Sequence, residues 1–335
     1  MSRERRAIAW DHGVLAVQSL GGMLAPALFL LPDGRQVAPL QVAPWSNDPA
    51  RADLPGVLRE LRGDWACVPF GFDGPRDLTD GWHPEGETFP GAGLAHGVCS
   101  NAEWDFVEQT ERRLVLECIY PGDHPVRLVR RVITPDPLAP AIDITLEIVA
   151  RRACRLPVGL HPTFRIPPTP RSVTIEPADY HSLRTFPGDL ESGAALFAPG
   201  VAFEQLSEAP LRTGGTVDVS SLPLATDFEE LVQIIGVAGE VALRYHEEGY
   251  RARLSWNADH FPSALIWMSN RGRQGWPWAG RHLAIAIEPV ASAFDLGPAI
   301  ATADNPIARS GISTALDLKI DPPFQTTYRI AVEAE

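Results

Sequence analysis

The 335-residue chain has few basic residues, few cysteines and no uninterrupted long hydrophobic run, and each shortage argues against a class of protein. It carries 29 Lys and Arg against 42 Asp and Glu, a net charge of −13, so electrostatic repulsion disfavours nucleic acid as a partner. The apolar stretch 14–31 is interrupted by polar residues, by Gly21-Gly22 and by Pro26. We therefore predict two strands around the glycine pair, with no signal peptide and no membrane association.

Cysteines are sparse and do not form a CxxC pair. There are four, each with apolar neighbours in the sequence, which predicts free buried thiols and a reducing, cytoplasmic location. These four residues are Cys67, Cys99, Cys118 and Cys154.

Signals for helices are also scarce. The sequence shows no βαβ alternation, no glycine-rich phosphate loop and no internal repeat, and helical turns are predicted only at 53–61 and 227–231. The 28 glycines and 32 prolines are typical of short strands joined by turns. We therefore predict an all-β, mainly antiparallel fold with few short helices, formed as a single domain over residues 1–335.

Strand patterns cover much of the chain. Between Ile142 and Ile148, isoleucine and leucine alternate with Asp, Thr and Glu, which predicts a strand with one face on the core. Together with apolar runs on either side of Pro121-Gly122, it predicts an antiparallel meander over 106–150. Further strands are predicted at 23–31, 172–176, 231–237, 241–246, 252–256, 264–268, 282–287 and 326–332. Long loops, which are often functional, are predicted at 71–93, 187–200 and 298–312.

Three short segments each place a proton-transferring side chain beside a glycine or a proline. They are LAHG at 94–97, GLHP at 159–162 and AIEP at 286–289, which carry His96, His161 and Glu288. Glu288 follows an apolar run, and a carboxylate in such a run is usually paired with another group or has a function. Two histidines and a glutamate can form a general acid/base set, and several tryptophans could offer flat apolar faces to a sugar.

Other chemistries have weaker support in the sequence. A metal site remains an alternative for two histidines and a glutamate, although no HxxxH or HxH spacing points to one. A GxSxG nucleophile elbow is absent. A glycoside hydrolase needs two carboxylates around the scissile bond, and only Glu288 stands out.

The segments with these three residues resemble the aldose 1-epimerase, or galactose mutarotase-like, superfamily. Residues 93–104 (GLAHGVCSNAEW) are similar to its HG…N-x-x-W stretch, and residues 159–164 (GLHPTF) to its G-x-H-P-Y/T-F segment. The WM pair at 267–268, the PW pair at 277–278 and the IEP at 287–289 resemble its C-terminal stretch. Residues 68–71 (VPFG) fall where the family has a Pro-Phe loop, and all these motifs occur in the family's order.

The resemblance implies a β-supersandwich with a sugar cleft across one sheet, and an enzyme that interconverts the α and β anomers of a monosaccharide. Glu288 would be the base that takes the proton of the anomeric hydroxyl, and His161 the acid that protonates the ring oxygen. His96 would position the sugar. The expected partner is a small sugar, bound by a monomer or homodimer, and neither a cofactor nor a metal is expected.

The residues that would contact sugar hydroxyls depart from the family pattern. Arg76 is a candidate where relatives have an Asn-Arg pair, Asn101 follows a serine where many relatives have arginine, and Asp259 lies in the region of a sugar-contacting aspartate. Trp267 is the expected stacking platform. Two alternatives therefore stay open: a non-catalytic carbohydrate-binding protein of the same fold, and a hexose-6-phosphate mutarotase, although the basic residues of sugar-phosphate relatives have no matching set here.

Overall fold

A computed structural model describes residues 4–335, so residues 1–3 of the predicted domain lie outside the described part of the chain. Twenty-five strands make up most of the regular structure. In chain order they are β1 (Arg5–Trp10), β2 (Gly13–Gln18), β3 (Leu24–Leu30), β4 (Gln36–Val37), β5 (Ala66–Cys67), β6 (Asp105–Gln109), β7 (Leu114–Ile119), β8 (Val126–Pro135), β9 (Ala141–Ala150), β10 (Cys154–Leu156), β11 (Val158–Leu160), β12 (Thr163–Arg165), β13 (Val173–Pro177), β14 (Ser182–Thr185), β15 (Ala202–Phe203), β16 (Ala209–Pro210), β17 (Thr216–Val217), β18 (Ser221–Leu222), β19 (Phe228–Ile235), β20 (Glu240–Tyr245), β21 (Tyr250–Trp256), β22 (Ser263–Asn270), β23 (Leu283–Ala291), β24 (Leu316–Leu318) and β25 (Phe324–Ala334).

Helices are few and short in the described residues. The α-helices are α1 (Gly97–Asn101) and α2 (Pro298–Ala301), and the 3₁₀-helices are Pro49–Asp53, Gly56–Glu60, Leu206–Glu208 and Ala308–Ser310. The all-β prediction is confirmed, and in the described part of the chain every strand pairing is antiparallel apart from two isolated bridges. No helix within residues 4–335 has the length and apolar character needed to cross a bilayer.

Two large sheets dominate the structure. One has nine strands in the order β18-β13-β20-β21-β25-β9-β8-β7-β6, which contains the predicted meander as β6 to β9. The other has the order β15-β14-β19-β22-β23-β11-β5, with β12 also paired to β23. A smaller four-stranded sheet, β1 to β4, contains the predicted turn, since Gly21 and Gly22 lie between β2 and β3.

The second large sheet, which we call the central sheet, is buried on both faces. Alternate residues of β22 belong to different cores: Ile266 packs in the main core with the nine-stranded sheet, whereas Leu265 and Trp267 pack in a second core. Burial on both faces explains why β22 has no polar face in the sequence. The second core lies under the loops that cover this outer face, and we call this face the cavity face.

The structure corrects two local predictions. Residues 227–231 do not form a helical turn, because Phe228 to Leu231 begin β19 and pair with Asn270 to Trp267 of β22. The ladder with β22 outweighs the local helix preference of the Asp-Phe-Glu-Glu sequence. The segment 298–312 is not all loop, since it contains α2 and the 3₁₀-helix Ala308–Ser310. The four cysteines are free, three of them buried and Cys154 half-buried.

Candidate active site

Strand register brings His161 and Glu288 together. Ahead of His161, Gly159 pairs with Val290 of β23, and after it Thr163 pairs with Ala286. Both pairings have the same register, so His161 lies directly across from Glu288, and side chains opposite each other in an antiparallel pair point to the same face. The His161 Nε2 atom is 3.4 Å from Oε1 of Glu288.

The GLHP sequence suits the position at which His161 lies opposite Glu288. The backbone N–H of His161 donates to the carbonyl of Trp65 at 2.9 Å, and Ile287 donates to the carbonyl of Pro162 at 2.9 Å. A Cβ at position 159 would lie 2.4 Å from the ring of Phe70, so only glycine allows this approach. The ring from the predicted Pro-Phe loop therefore packs directly beneath the histidine segment.

His96 is held at the N-terminal end of α1 by an unusual backbone conformation. Its φ is 59°, and its N–H donates to the carbonyl of Gly71 at 2.8 Å. The next residue, Gly97, has φ 78° and a hypothetical Cβ only 2.3 Å from the carbonyl oxygen of Val68. Two successive left-handed residues explain the HG sequence and turn the His96 ring toward His161, with ring centroids 5.0 Å apart.

These side chains line one cavity on the cavity face, with a volume of about 200 Å³. Four predicted site residues, His96, His161, Trp267 and Glu288, contribute to its wall. The full lining is Val57, Leu58, Leu61, Trp65, Phe72, Ala95, His96, His161, Leu190, Leu231, Leu265, Trp267, Arg273, Trp278, Glu288 and Asp295.

Arg76 lies behind the cavity wall. Its guanidinium forms two hydrogen bonds of 3.0 Å with the carboxylate of Asp295, which does line the cavity, and it stacks over Phe72. Arg76 is thus placed to hold Asp295 and to balance its charge.

Asn101 and Asp259 are not among the residues that line the cavity. The Asn101 side chain accepts from the N–H of Val57 and donates to the carbonyls of Ala95 and Gly97, so it ties together two cavity-lining segments. Asp259 is exposed in the turn between β21 and β22. The expectation that these two contact sugar directly is not supported by their positions, because Asn101 already uses its amide groups and Asp259 lies in an exposed turn.

Burial disfavours the charged forms of both His161 and Glu288. It raises the pKa of Glu288 well above its ordinary value, with a further contribution from the negative charge of Asp295. It lowers the pKa of His161 well below its ordinary value, helped by the nearby His96. The Glu288 Oε2 atom is buried without a hydrogen-bond partner, so this carboxyl group can still interact with a ligand.

Hydrogen bonds define how each imidazole is protonated. The hydroxyl of Thr163 donates to the His161 carbonyl at 3.4 Å and therefore accepts from His161 Nδ1 at 3.1 Å. This leaves the Nε2 lone pair of neutral His161 facing Glu288. His96 accepts at Nδ1 from the N–H of Gly71, so neutral His96 carries its proton on Nε2. Burial lowers the pKa of His96, which favours this neutral form.

A polar network behind Trp267 was not predicted from the sequence. The indole N–H of Trp267 donates to Glu229 at 2.6 Å, Ser269 donates to the other oxygen of Glu229 at 3.1 Å, and the His282 ring stacks on Trp267 with centroids 5.4 Å apart. Arg273 lies over Trp267 and Trp278. Trp267 is therefore fixed in orientation by a buried carboxylate.

Sequence reasoning missed Asp295, Arg273 and Glu229, whereas Trp65, one of the tryptophans considered as a sugar platform, does line the cavity. The signal that drew attention to Glu288, a carboxylate after an apolar run, does not apply to Glu229, which lies between Phe228 and Glu230. Its burial follows only from its place in β19. Asp295 and Arg273 are in loops after β23 and β22, where the local sequence holds no comparable signal. Within residues 4–335, no group of three or more His, Cys, Asp or Glu side chains is arranged to hold a metal ion.

Comparison with known proteins shows the fold. No family model matches the sequence, and no curated protein matches it. Among solved structures, a candidate aldose 1-epimerase of Escherichia coli K12 is 16% identical over all of both chains, with a TM-score of 0.65. A galactose mutarotase-like protein of Lactobacillus casei is 14% identical over 98% of this chain and all of its own, with a TM-score of 0.61.

A third structure gives the same result. An aldose epimerase homologue of C. elegans is 12% identical over 99% of both chains, with a TM-score of 0.61. The chain therefore has the galactose mutarotase-like fold along its whole described length, as the resemblance implied. Sequence identities this low show the fold only, so the activity has to be argued from the site.

Proposed function

We propose that the protein is an aldose 1-epimerase-like mutarotase, which interconverts the α and β anomers of a monosaccharide by opening and closing the sugar ring. The observation that carries the proposal is the 3.4 Å approach of His161 Nε2 to Glu288 Oε1 in a cavity of about 200 Å³. Drug-sized ligands occupy pockets of roughly 300–1,000 Å³, so this smaller cavity suits a single sugar ring.

Ring opening needs one proton acceptor and one proton donor. Glu288 takes the proton of the anomeric hydroxyl while His161 gives a proton to the ring oxygen, the C1–O5 bond breaks, and the O1 electrons form the aldehyde C=O. Rotation about C1–C2 presents the other face of the aldehyde. Closure reverses both proton transfers and gives the opposite anomer, with no net change in protonation and no need for a cofactor.

This cycle starts from the ion-pair form, in which Glu288 is ionised and His161 is protonated. Burial favours the neutral form, with the shared proton on Glu288 and the lone pair on His161 Nε2. Both forms hold one proton in total, and its transfer from Glu288 to His161 interconverts them. Hydroxyl groups of a bound sugar would stabilise the ion pair by donating to the unpartnered Glu288 Oε2.

His96 and Trp267 would position the sugar. His96 offers its Nε2 proton near His161 and can donate to the ring oxygen region, in keeping with the role implied by the resemblance. Trp267 offers an indole whose orientation is fixed by Glu229, which suits the C–H face of a sugar ring. Arg76 would act through Asp295, and Asn101 through the loops that it ties together.

The test is anomer exchange measured by NMR over a panel of aldoses, with wild type, Glu288→Gln and His161→Asn. General acid/base groups contribute typically about 10²- to 10⁴-fold, so each variant should lose at least about 100-fold in kcat/KM above the spontaneous rate. Matched controls are Glu147→Gln and His246→Asn, the same chemical changes at residues outside the cavity lining, which should keep wild-type exchange.

Two outcomes would contradict the proposal. If the two cavity variants exchange a wild-type substrate as fast as wild type, Glu288 and His161 are not the acid and base. If sugars stabilise the protein against heat but no anomer exchange occurs, the carbohydrate-binding alternative replaces catalysis. A strong preference for hexose 6-phosphates would keep the reaction but move the substrate to the phosphorylated class.

A further inference from the structure

The polar groups of the cavity are concentrated in one cluster. Of the sixteen lining residues, five are ionisable, and four of these lie near one another: His96, His161, Glu288 and Asp295. Asp295 is close enough for its charge to act on both Glu288 and His96. In the proposed reaction, this cluster serves the anomeric hydroxyl, the ring oxygen and the sugar hydroxyl next to them.

The other part of the wall is apolar. It consists of aliphatic and aromatic side chains and includes no side-chain hydroxyl or carboxamide group among the described lining residues. These apolar residues are Val57, Leu58, Leu61, Trp65, Phe72, Ala95, Leu190, Leu231, Leu265, Trp267 and Trp278. The indole N–H of Trp267 is already bonded to Glu229, whereas that of Trp65 is buried without a partner and can serve one hydroxyl.

Arg273, the remaining ionisable residue, lies between acids. Its Nε is 3.4 Å from Glu191 and 3.5 Å from Glu229. Arg76 balances the charge of Asp295, and the His161–Glu288 pair with its one proton has no net charge. Because Arg273 is shared by two acids, a phosphate dianion would meet no unpaired positive charge on this wall. The charge arrangement favours a neutral ligand.

An ordinary aldohexose would place several hydroxyl groups in this cavity. Some of these hydroxyl groups would lie beyond the reach of the cluster, of Arg273 and of Trp65. They would be pressed against leucines and tryptophans without a hydrogen-bond partner, and a buried hydroxyl without a partner is costly. A hydrogen atom or a methyl group at the same ring position loses nothing and gains apolar contact.

We propose that the cavity is selective for a neutral deoxy monosaccharide, in which hydrogen or methyl replaces at least one hydroxyl or hydroxymethyl group of the common aldoses. The inference rests on the proposed function for the reaction, but it concerns which sugar the wall accepts. The apolar part of the wall supplies the preference, and the ionisable cluster supplies the chemistry.

The experiment compares sugars that differ at one position. The pairs are D-fucose with D-galactose, L-rhamnose with L-mannose, 6-deoxy-D-glucose with D-glucose and 2-deoxy-D-glucose with D-glucose, and glucose 6-phosphate is included as a charged ligand. Apolar pockets discriminate against an added hydroxyl by about 10²-fold at most, so kcat/KM should be about 10- to 100-fold higher for the deoxy member of at least one pair. Equal or faster exchange of the hydroxylated member in every pair, or a preference for the phosphate, would overturn the inference.

Binding of the same pairs, measured by calorimetry, separates this inference from the proposed function. If no sugar shows exchange but a deoxy sugar binds at least tenfold more tightly than its partner, the proposed reaction fails and the ligand preference stands. If exchange is fast but neither kcat/KM nor affinity favours a deoxy sugar, the reaction stands and the preference fails. If neither exchange nor selective binding is found, both fail.

Variants of the wall test its role directly. Leu190→Asn and Leu58→Asn each add hydrogen-bonding groups at a half-buried lining position, and at least one should reduce the deoxy preference severalfold by improving kcat/KM for the hydroxylated sugar. Leu138→Asn is the matched control, because Leu138 is 87% exposed and outside the cavity lining, and it should keep the wild-type ratio. An unchanged ratio in both wall variants, with folded protein, would overturn the assignment of the preference to this wall.

Discussion

The indole of Trp65 stacks on the imidazole of His161, with ring centroids 4.0 Å apart and planes inclined by 17°. The carbonyl of Trp65 also accepts the backbone N–H of His161. Trp65 directly precedes β5, which pairs with β11. This single residue therefore fixes both the backbone and the ring of the proposed acid, His161.

Trp65→Leu should slow catalysis more than it weakens binding. Loss of the stacked indole lets the imidazole of His161 move, and small misplacements of a reacting group can cost about 10²-fold. We expect kcat to fall about 10- to 100-fold while KM changes less. Trp65→Phe retains an aromatic face and should recover most of the lost kcat. Equal loss in both variants, measured by NMR exchange, would show that stacking does not position His161.

The pH profile of kcat/KM should be bell-shaped. Activity requires the His161–Glu288 pair to hold one proton, so it is lost at low pH when the pair gains a second proton and at high pH when it loses the first. Burial lowers the pKa of His161 and raises the pKa of Glu288. The acidic limb should therefore lie below pH 6.5, the ordinary pKa of histidine. The two limbs belong to the pair as a whole, and an acidic limb above pH 6.5 would contradict the assignment.

Asp295→Asn and Arg76→Gln should shift the alkaline limb in opposite directions. The charge of Asp295 raises the pKa of Glu288, so its removal should move the limb to lower pH. Removal of Arg76 leaves the Asp295 charge uncompensated and should move the limb to higher pH. Charges this close in a protein shift a pKa by about one unit. Shifts of the same sign in the two variants would rule out this electrostatic linkage.

Glu229→Gln should weaken sugar binding with little effect on kcat. The Glu229 carboxylate accepts from both Trp267 and Ser269, and an amide can replace only one of these acceptor atoms. With the Trp267 ring less firmly held, KM should rise about three- to tenfold, since a hydrogen bond to a charged group contributes about 1.5–3 kcal/mol and part of it is retained. Glu240→Gln, the same change in β20 of the nine-stranded sheet, is the control. A fall in kcat at constant KM would be the contrary result.

Stability should depend on pH through Glu230, which accepts the backbone N–H groups of Leu196 and Phe197. Burial raises the pKa of Glu230 from 4.5 to about 7. Because the folded-state pKa is the higher one, the stabilisation from its protonated form is complete below pH 4.5 and is lost as pH rises through about 7.

The variant Glu230→Gln isolates this effect. Wild type should lose at most about 3 kcal/mol of unfolding free energy through this group between pH 5 and pH 8, and the variant should lack that part of the slope. Urea unfolding at the two pH values measures the difference, with Glu147→Gln as the control. If the difference in stability between Glu230→Gln and wild type is the same at pH 5 and pH 8, the ionisation of Glu230 does not contribute.

Much of the fold could be predicted from the sequence because strand alternation and turn residues are local signals. The alternation between Ile142 and Ile148 predicted one strand of the meander, and the Gly21-Gly22 turn predicted two more. The prediction of a helical turn at 227–231 was wrong because the structure there depends on a distant strand. Its Asp-Phe-Glu-Glu sequence favours a helical turn, and only pairing with β22 makes it a strand.

In the candidate site too, some features could be predicted from local sequence and others depend on the tertiary structure. His96, His161 and Glu288 were detectable because each lies in a short segment with a glycine or proline. The structure shows why two of these glycines are needed, since Gly97 is left-handed and Gly159 contacts the Phe70 ring. Their meeting in one cavity depends on the register of β11, β12 and β23, which no local pattern specifies. Asp295, Arg273 and the Glu229–Trp267 bond come from segments distant in the chain. Their roles arise from charge and hydrogen bonding at close range, which exist only after the sheets have packed.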